Sequence, residues 1–226
     1  MGDSWMRSWT RRVVEAATTL ALLAAATSAL AHPHVFAEAR LDVTVADNGN
    51  VKTLHHVWRF DDLFSSTVLV EFDSNQNLKL EPEELDEVAS VVFESLAEFN
   101  YFQVVTAQGR DVDLEAPQRI MADFVDEQLI LLFETEPREP LPLEGKVSFG
   151  VYDPTFYTAI DFTEDSYLTV QNMPEGCGSE VVRPDPDEAI AQNQQTLTDA
   201  FFNEPGGNDL SKIFATRLEI RCNANG

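Results

Sequence analysis

Between Val35 and Phe60 the chain alternates with a period of two, and this stretch restricts the fold more than any other. Apolar residues take the odd positions from Val35 to Val45, and after Asp47-Asn48-Gly49-Asn50 the run Leu54, His56, Trp58, Phe60 alternates again. Successive side chains on a strand point to opposite faces, so each run has one apolar and one wet face. Asn-Gly between two such runs signals a hairpin. With Asn48-Gly49 as a two-residue turn, paired positions sum to 97: Leu41 faces His56 and Ala39 faces Trp58 on the core side, while Glu38 faces Arg59 on the other.

Asp62 to Phe72 and Glu83 to Phe99 read as helices, the second carrying Leu85, Val88, Val92, Leu96 and Phe99 at helical spacing. After Asn100 the pattern turns to short strands: Tyr101–Thr106, Asp111–Leu114, Arg119–Val125, Gln128–Glu134, Val147–Tyr152, Thr155–Phe162 and Tyr167–Gln171. Glu180–Pro186 reads as an extended, proline-rich connection, Asp187–Phe202 as a helix, and Ile213 to Cys222 as a closing strand. The expectation is an α+β, mainly β fold. It is an antiparallel β-sandwich-like domain with an EF-hand-like helix-loop-helix insertion and a small C-terminal helix-strand appendage. A β-rich domain is expected over 32–176 with the helical insertion at 62–99, and residues 177–226 are expected to pack on it as a C-terminal segment.

The front of the chain reads as a secretory signal peptide over residues 1–31. Arg7, Arg11 and Arg12 precede an apolar run from Ala16 to Ala26, and Ala29-Leu30-Ala31 supplies the small residues a signal peptidase reads. The run falls short of the roughly 20 apolar residues of a spanning helix, so no stable membrane insertion is expected after cleavage behind Ala31. The expected location is periplasmic. Cleavage there takes away three basic residues and two acidic ones, Asp3 and Glu15, leaving 12 against 37 and a charge of −25. So acidic a surface repels nucleic acid. Cys177 and Cys222 are the only cysteines, and outside the cytoplasm an even count invites a disulfide; two unpaired thiols are the alternative.

Cleavage before His32 exposes an α-amine beside an imidazole, two nitrogens that chelate one metal ion together. His34 follows on the same side of an extended chain, about 6.6 Å away. Pro33 has no amide proton to lose, which excludes the square-planar site made from two deprotonated amides. A solvated terminus that binds nothing in particular is the plain alternative. His55 lies on the polar face across from Asp42. His56 lies on the apolar face between Leu54 and Trp58, as a buried histidine or as a ligand. In the hairpin register, His34 and His56 stand seven positions apart, about 23 Å, so a joint site needs a bulge, a bend or sheet closure.

Asp73 to Glu84 matches a calcium loop at most ligand positions: side-chain oxygens from Asp73, Asn75 and Asn77, the carbonyl of Lys79, a water-mediated contact from Glu81 and two oxygens from Glu84. Leu78 departs from the pattern. That position turns with positive φ, where leucine costs about 1–2 kcal/mol relative to glycine. Three acidic ligands imply weak calcium affinity. An Asx-rich turn leading into a helix is the alternative. No nucleophile-base-acid trio and no phosphate-binding glycine loop stands out, so no enzymatic activity is expected.

His32-Pro33-His34-Val35-Phe36, His56-Val57-Trp58-Arg59-Phe60-Asp61, the calcium-like loop, Glu94-Ser95-Leu96-Ala97-Glu98-Phe99-Asn100-Tyr101-Phe102 and Tyr152-Asp153-Pro154-Thr155-Phe156-Tyr157 resemble a bacterial periplasmic family. It is a domain-of-unknown-function family described as the periplasmic component of an uncharacterised ABC-type transport system. The resemblance implies a nickel/cobalt-type membrane permease as partner and zinc, nickel or cobalt as cargo. It supports His32, His34 and His56 as motif residues and adds Asp153 as a fourth candidate ligand. Family members carry a glycine in the calcium-like loop, which Leu78 replaces. The expected function is a metal-binding accessory protein that captures a divalent transition metal for a permease. A copper-dependent enzyme using the mature N-terminal histidine and a calcium-stabilised structural or adaptor domain are the rivals.

Overall fold

The computed structural model describes residues 33–203 and 211–223, with the backbone alone for 195–203 and 211. The proposed signal peptide and His32 lie outside the described residues. The alternating stretch forms the expected hairpin of β1 (Val35–Val45) and β2 (Val51–Phe60). Its ladder pairs Leu41 with His56, Ala39 with Trp58 and Glu38 with Arg59, as the register of 97 requires.

The turn reaches that register by another route. Gly49 donates to the Ala46 carbonyl at 2.9 Å, so Asp47-Asn48 form the centre of the turn and Gly49 follows at φ 79°. This turn sets Val45 opposite Val51; a bulge then gives β2 one extra residue, and the ladder resumes with Thr44 opposite Thr53. Glycine is needed at Gly49 because that φ is free of strain only without a Cβ.

Helix α1 (Asp62–Phe72) starts where β2 ends. Asp61 caps it, its Oδ1 accepting from the Leu63 and Phe64 amides at 2.9 and 3.0 Å. Helix α2 (Pro82–Ala97) has Pro82 in its first turn and buries Val88 and Ala89. The chain then passes through Asn100, Tyr101 and Phe102 at φ 50°, 51° and 58°. Three successive non-glycine residues in this region store backbone strain. This turn replaces the expected start of a strand at Tyr101.

The remaining strands are β3 (Gln103–Ala107), β4 (Arg110–Asp111), β5 (Ile120–Val125), β6 (Gln128–Thr135), β7 (Gly145–Val151), β8 (Thr158–Asp161), β9 (Leu168–Gln171), β10 (Cys177–Val182) and β11 (Arg217–Cys222). They make two sheets. One runs β5-β6-β2-β1-β8, with β9 also on β1; the other runs β10-β11-β7-β3-β4. Pairing is antiparallel except that β8 and β9 run parallel to successive stretches of β1. Odd residues of β1 and the inner faces of both sheets form one core that includes Trp58, Leu131, Phe149 and Ile220.

Cys177–Val182 pairs along its whole length with β11, where an irregular connection was expected to begin. Helix α3 (Pro186–Asn203) follows, and β11 then enters the second sheet between β10 and β7. Cys177 stands opposite Cys222 in this ladder, and the two are disulfide-bonded. Closing a loop of 45 residues restricts the unfolded chain by about 4 kcal/mol in the chain-entropy picture.

Candidate functional site

The start of β1 is held from both sides. The His34 and Val35 amides donate to the Tyr157 carbonyl at 2.8 and 3.2 Å, and Val35 pairs with Thr158. On the other side Phe36 donates to Asp61 Oδ2 at 2.8 Å, and Asp61 donates back to the Phe36 carbonyl at 2.9 Å. The backbone at His34 is therefore fixed, while its imidazole is exposed and lies 5.1 Å from the Tyr157 ring.

Asp153 builds the loop against which His34 lies. It is 4% exposed; Oδ1 accepts from the Thr155 amide and hydroxyl, both at 2.7 Å, and Oδ2 accepts from the Thr158 amide at 2.8 Å. A carboxylate accepting several backbone N–H groups makes a short loop rigid. Phe156 in this loop turns through φ 58°. His34 and Asp153 thus belong to one end of the β1–β8 pair.

His56 is elsewhere. No bulge interrupts the ladder between Ala37 and Thr44, so His56 stays level with Leu41 in the centre of the core. It is 1% exposed and stacks on Phe133 with ring centroids 4.6 Å apart. Its Nε2 bonds Gln103 Oε1 at 2.9 Å, which also accepts from the Thr135 hydroxyl at 2.5 Å. This bond assigns the proton to Nε2. Burial lowers the pKa to about 3, outweighing the Gln103 bond, which acts the other way. A neutral imidazole joining two sheets through Gln103 is a structural role. His56 Nδ1, Trp58 Nε1 and Gln103 Nε2 lie buried without hydrogen-bond partners among the described residues.

His55, on the opposite face, pairs with Glu134 at 3.0 Å and stands across from Asp42 as expected. It borders a cavity of about 580 Å³ together with Glu134 and Arg119. Among the described residues no three His, Cys, Asp or Glu side chains converge as a metal-binding group. The structure puts His34 and Asp153 at the same end of the β1–β8 pair and leaves His56 apart.

The calcium-like loop has the expected shape. Asp73, 8% exposed, accepts from the Asn77 amide at 3.0 Å and the Leu78 amide at 2.7 Å. Asn75 Oδ1 accepts from Asn77, and Asn77 Oδ1 from the Lys79 amide. Both Asn side-chain amides donate to Glu81. Glu84 accepts from the Ser74 amide and hydroxyl and, across its other oxygen, from the Glu81 amide. These bonds hold its carboxyl at a pKa of about 2, the Glu81 amide contributing most and the Ser74 hydroxyl next. Leu78 takes the positive φ the position demands, 64°, with its side chain 75% exposed.

Sequence reasoning missed the supporting partners. Gln103 reaches His56 from another strand and is itself held by the Thr135 hydroxyl, and Asp61 reaches back to Phe36. Their only sequence signal is a polar residue at an inward strand position, readable for Gln103 and Thr135 once register is known.

Fold and site together describe a two-sheet, disulfide-tied α+β domain with an exposed histidine on a rigid strand end and a helix-loop-helix insertion. The chain matches the family described as "Protein of unknown function (DUF1007)" over residues 17–222, and it belongs to that family. An uncharacterized protein of Haemophilus influenzae is 24% identical over 195 residues, covering 85% of this chain and 92% of that protein. An uncharacterized 15.5 kDa protein in the trpE 3' region of Spirochaeta aurantia is 22% identical over 135 residues, covering 60% of this chain and 96% of its own length. Among solved structures, AChBP from Bulinus truncatus aligns over 84% of this chain and 86% of its own with a TM-score of 0.33 and 11% identity, too loose a likeness to bear on function.

Proposed function

We propose that this chain is an exported, non-enzymatic accessory protein that captures a divalent transition metal, zinc, nickel or cobalt, and presents it to a membrane permease. The observation that carries the reading is the backbone anchoring of His34 by Tyr157, next to Phe36 held by Asp61, with an exposed imidazole at the end of the fixed strand. A ligand on a rigid element binds with less ordering cost than one on a free tail. His32 and the α-amine released by cleavage behind Ala31 supply the remaining nitrogens. Asp153 is committed to three hydrogen bonds from Thr155 and Thr158, which suits it to positioning the loop beside the metal. Phe36, Phe156 and Tyr157, each about half exposed, lie around the same end and offer apolar surface for a partner. No helix among the described residues is long and apolar enough to cross a membrane.

Calorimetric titration of protein beginning at His32, against the same protein with one extra N-terminal residue, tests the reading. Tighter zinc, nickel or cobalt binding by the exact terminus supports it. Equal affinity in both removes the amine from the site.

A calcium-stabilised domain is the second reading, favoured by the positive φ that Leu78 takes at the position where a calcium loop turns. Leu78→Gly relieves strain of about 1 kcal/mol and is expected to raise calcium-dependent melting. An unchanged melt in calcium for both proteins counts against calcium.

A further inference from the structure

The outer face of the five-stranded sheet carries a cavity where basic side chains gather, in a chain whose net charge is −24. The cavity measures about 540 Å³ and lies between that sheet and the segments around α3. Four of the chain's fifteen basic residues line it, Lys146, Arg183, Lys212 and Arg217, with Thr106 and Ser148 on its floor. Alternation explains the placement. Val147, Phe149, Leu218 and Ile220 point into the core, so Lys146, Ser148, Arg217, Glu219 and Arg221 must point out.

Glu219 organises the cluster. It is 1% exposed; Oε1 receives Lys146 Nζ at 2.7 Å and Arg217 Nε at 2.9 Å, and Oε2 receives Arg221 Nη2 at 2.8 Å. Burial alone would raise its carboxyl, yet the Lys146 and Arg217 bonds hold it below the ordinary carboxylate range. One negative charge faces three positive ones, although Arg221 is shared with Glu180 at 3.2 Å. Lys146 and Arg217 share a single carboxylate oxygen, so each keeps N–H donors for another acceptor. The Thr106 and Ser148 hydroxyls, hydrogen-bonded to each other at 2.6 Å, leave one neutral donor beside them.

The other charges are largely matched. Lys212 pairs with Asp111, and Arg183 pairs with Asp165 and the Phe162 carbonyl. Asp185 and Glu188 also line the cavity; Asp185 accepts from the Glu188 amide, and Glu188 from the Gln192 side chain. At physiological salt the screening length is about 8 Å, so acidic residues elsewhere act weakly on an anion at Lys146 and Arg217.

We propose that this cavity binds a small oxyanion, its carboxylate or phosphate oxygens seated on Lys146 and Arg217 with Ser148 and Thr106 beside them. The size suits a ligand of a few carboxylate groups or a phosphate ester. The residues lining this cavity do not include His34, Asp153 or Tyr157.

Titration of the full processed chain with citrate and, separately, with inorganic phosphate, followed by amide chemical shifts at physiological salt, tests this. Saturable shifts centred on Lys146, Ser148 and Arg217 are expected, and the tighter-bound probe tells carboxylate from phosphate recognition. Lys146→Gln is expected to weaken binding by about 10- to 100-fold, the loss of one charge-assisted bond. Glu219→Gln is expected to strengthen it, because it removes the competing charged acceptor. A purely structural cluster predicts instead that neither substitution alters anion binding. Absence of saturation with both probes, or weaker binding in Glu219→Gln with the fold intact, overturns the proposal. Should Lys146→Gln fail to fold, the direction of change in Glu219→Gln decides.

Discussion

His34 and His56 sit on the same hairpin, seven strand positions apart in register, and the protein treats them in opposite ways. His56 is sealed between sheets, uncharged, stacked on Phe133 and bonded to Gln103. His34 has its backbone fixed and its side chain exposed beside the Tyr157 ring. Strand alternation separates the two, because the core face is odd-numbered on β1 and even-numbered on β2, which turns position 34 outward and position 56 inward. Their positions along the ladder agree with this: His56 is level with Leu41 in the core, and His34 precedes the first residue paired with β2, Ala37. A histidine beside hydrophobic residues is therefore buried or exposed according to the parity of its strand and its place along the ladder.

The largest expected effect tests the inside half of this contrast by pH. The folded state holds His56 at a pKa of about 3 against 6.5 for an ordinary histidine, so only the unfolded chain takes up this proton between those values. The stability contribution is complete above pH 6.5 and falls as pH drops toward 3, by about 5 kcal/mol in all. About 3 kcal/mol of that lies between pH 6.5 and 4.5, before most carboxylates protonate. Urea denaturation across this window should show the slope, and His56→Phe should flatten it. An equal slope in both proteins would assign the acid sensitivity to other groups.

Truncation is next in size. His56→Ala opens a cavity and strips Gln103 of a partner, an expected loss of about 4 kcal/mol. His34→Ala gives up an exposed ring contact and is expected to cost at most about 1 kcal/mol. Similar losses in chemical denaturation would erase the distinction.

A smaller effect probes how the outer histidine is held. Asp153→Ala removes the acceptor for Thr155 and Thr158 and is expected to cost about 2–3 kcal/mol. Amide exchange at Thr155 and Thr158 should quicken while that of the Leu54–Trp58 ladder keeps its rank. Unchanged exchange at Thr158 would show that the loop does not depend on Asp153.

The hairpin register, both insertion helices and the disulfide pairing were legible in the sequence because each has a local or counting signal: alternation, helical spacing of apolar residues, two cysteines. The parallel pairing of β8 and β9 with β1 was not. A parallel neighbour arrives without a tight turn, so nothing near Thr158 or Leu168 announces its partner. Strand β10 was hidden for a related reason, its pairing being with a strand that begins 35 residues after it ends. The site divides likewise. That His34 and His56 lie apart could be argued from register, whereas the Asp61 and Tyr157 contacts that fix β1 come from tertiary packing. Leu78 shows the reverse case, where a local rule identified a strained residue and the chain adopts the strained φ all the same.

Metal titration of His34→Ala and His56→Phe side by side, both processed to begin at His32, tests the central claim most directly. With zinc, nickel and cobalt as probes, His34→Ala is expected to weaken binding by about 10-fold or more, and His56→Phe to leave it unchanged in folded protein. Full affinity in His34→Ala, or loss of affinity in His56→Phe with the fold intact, would contradict the division of roles between the two histidines.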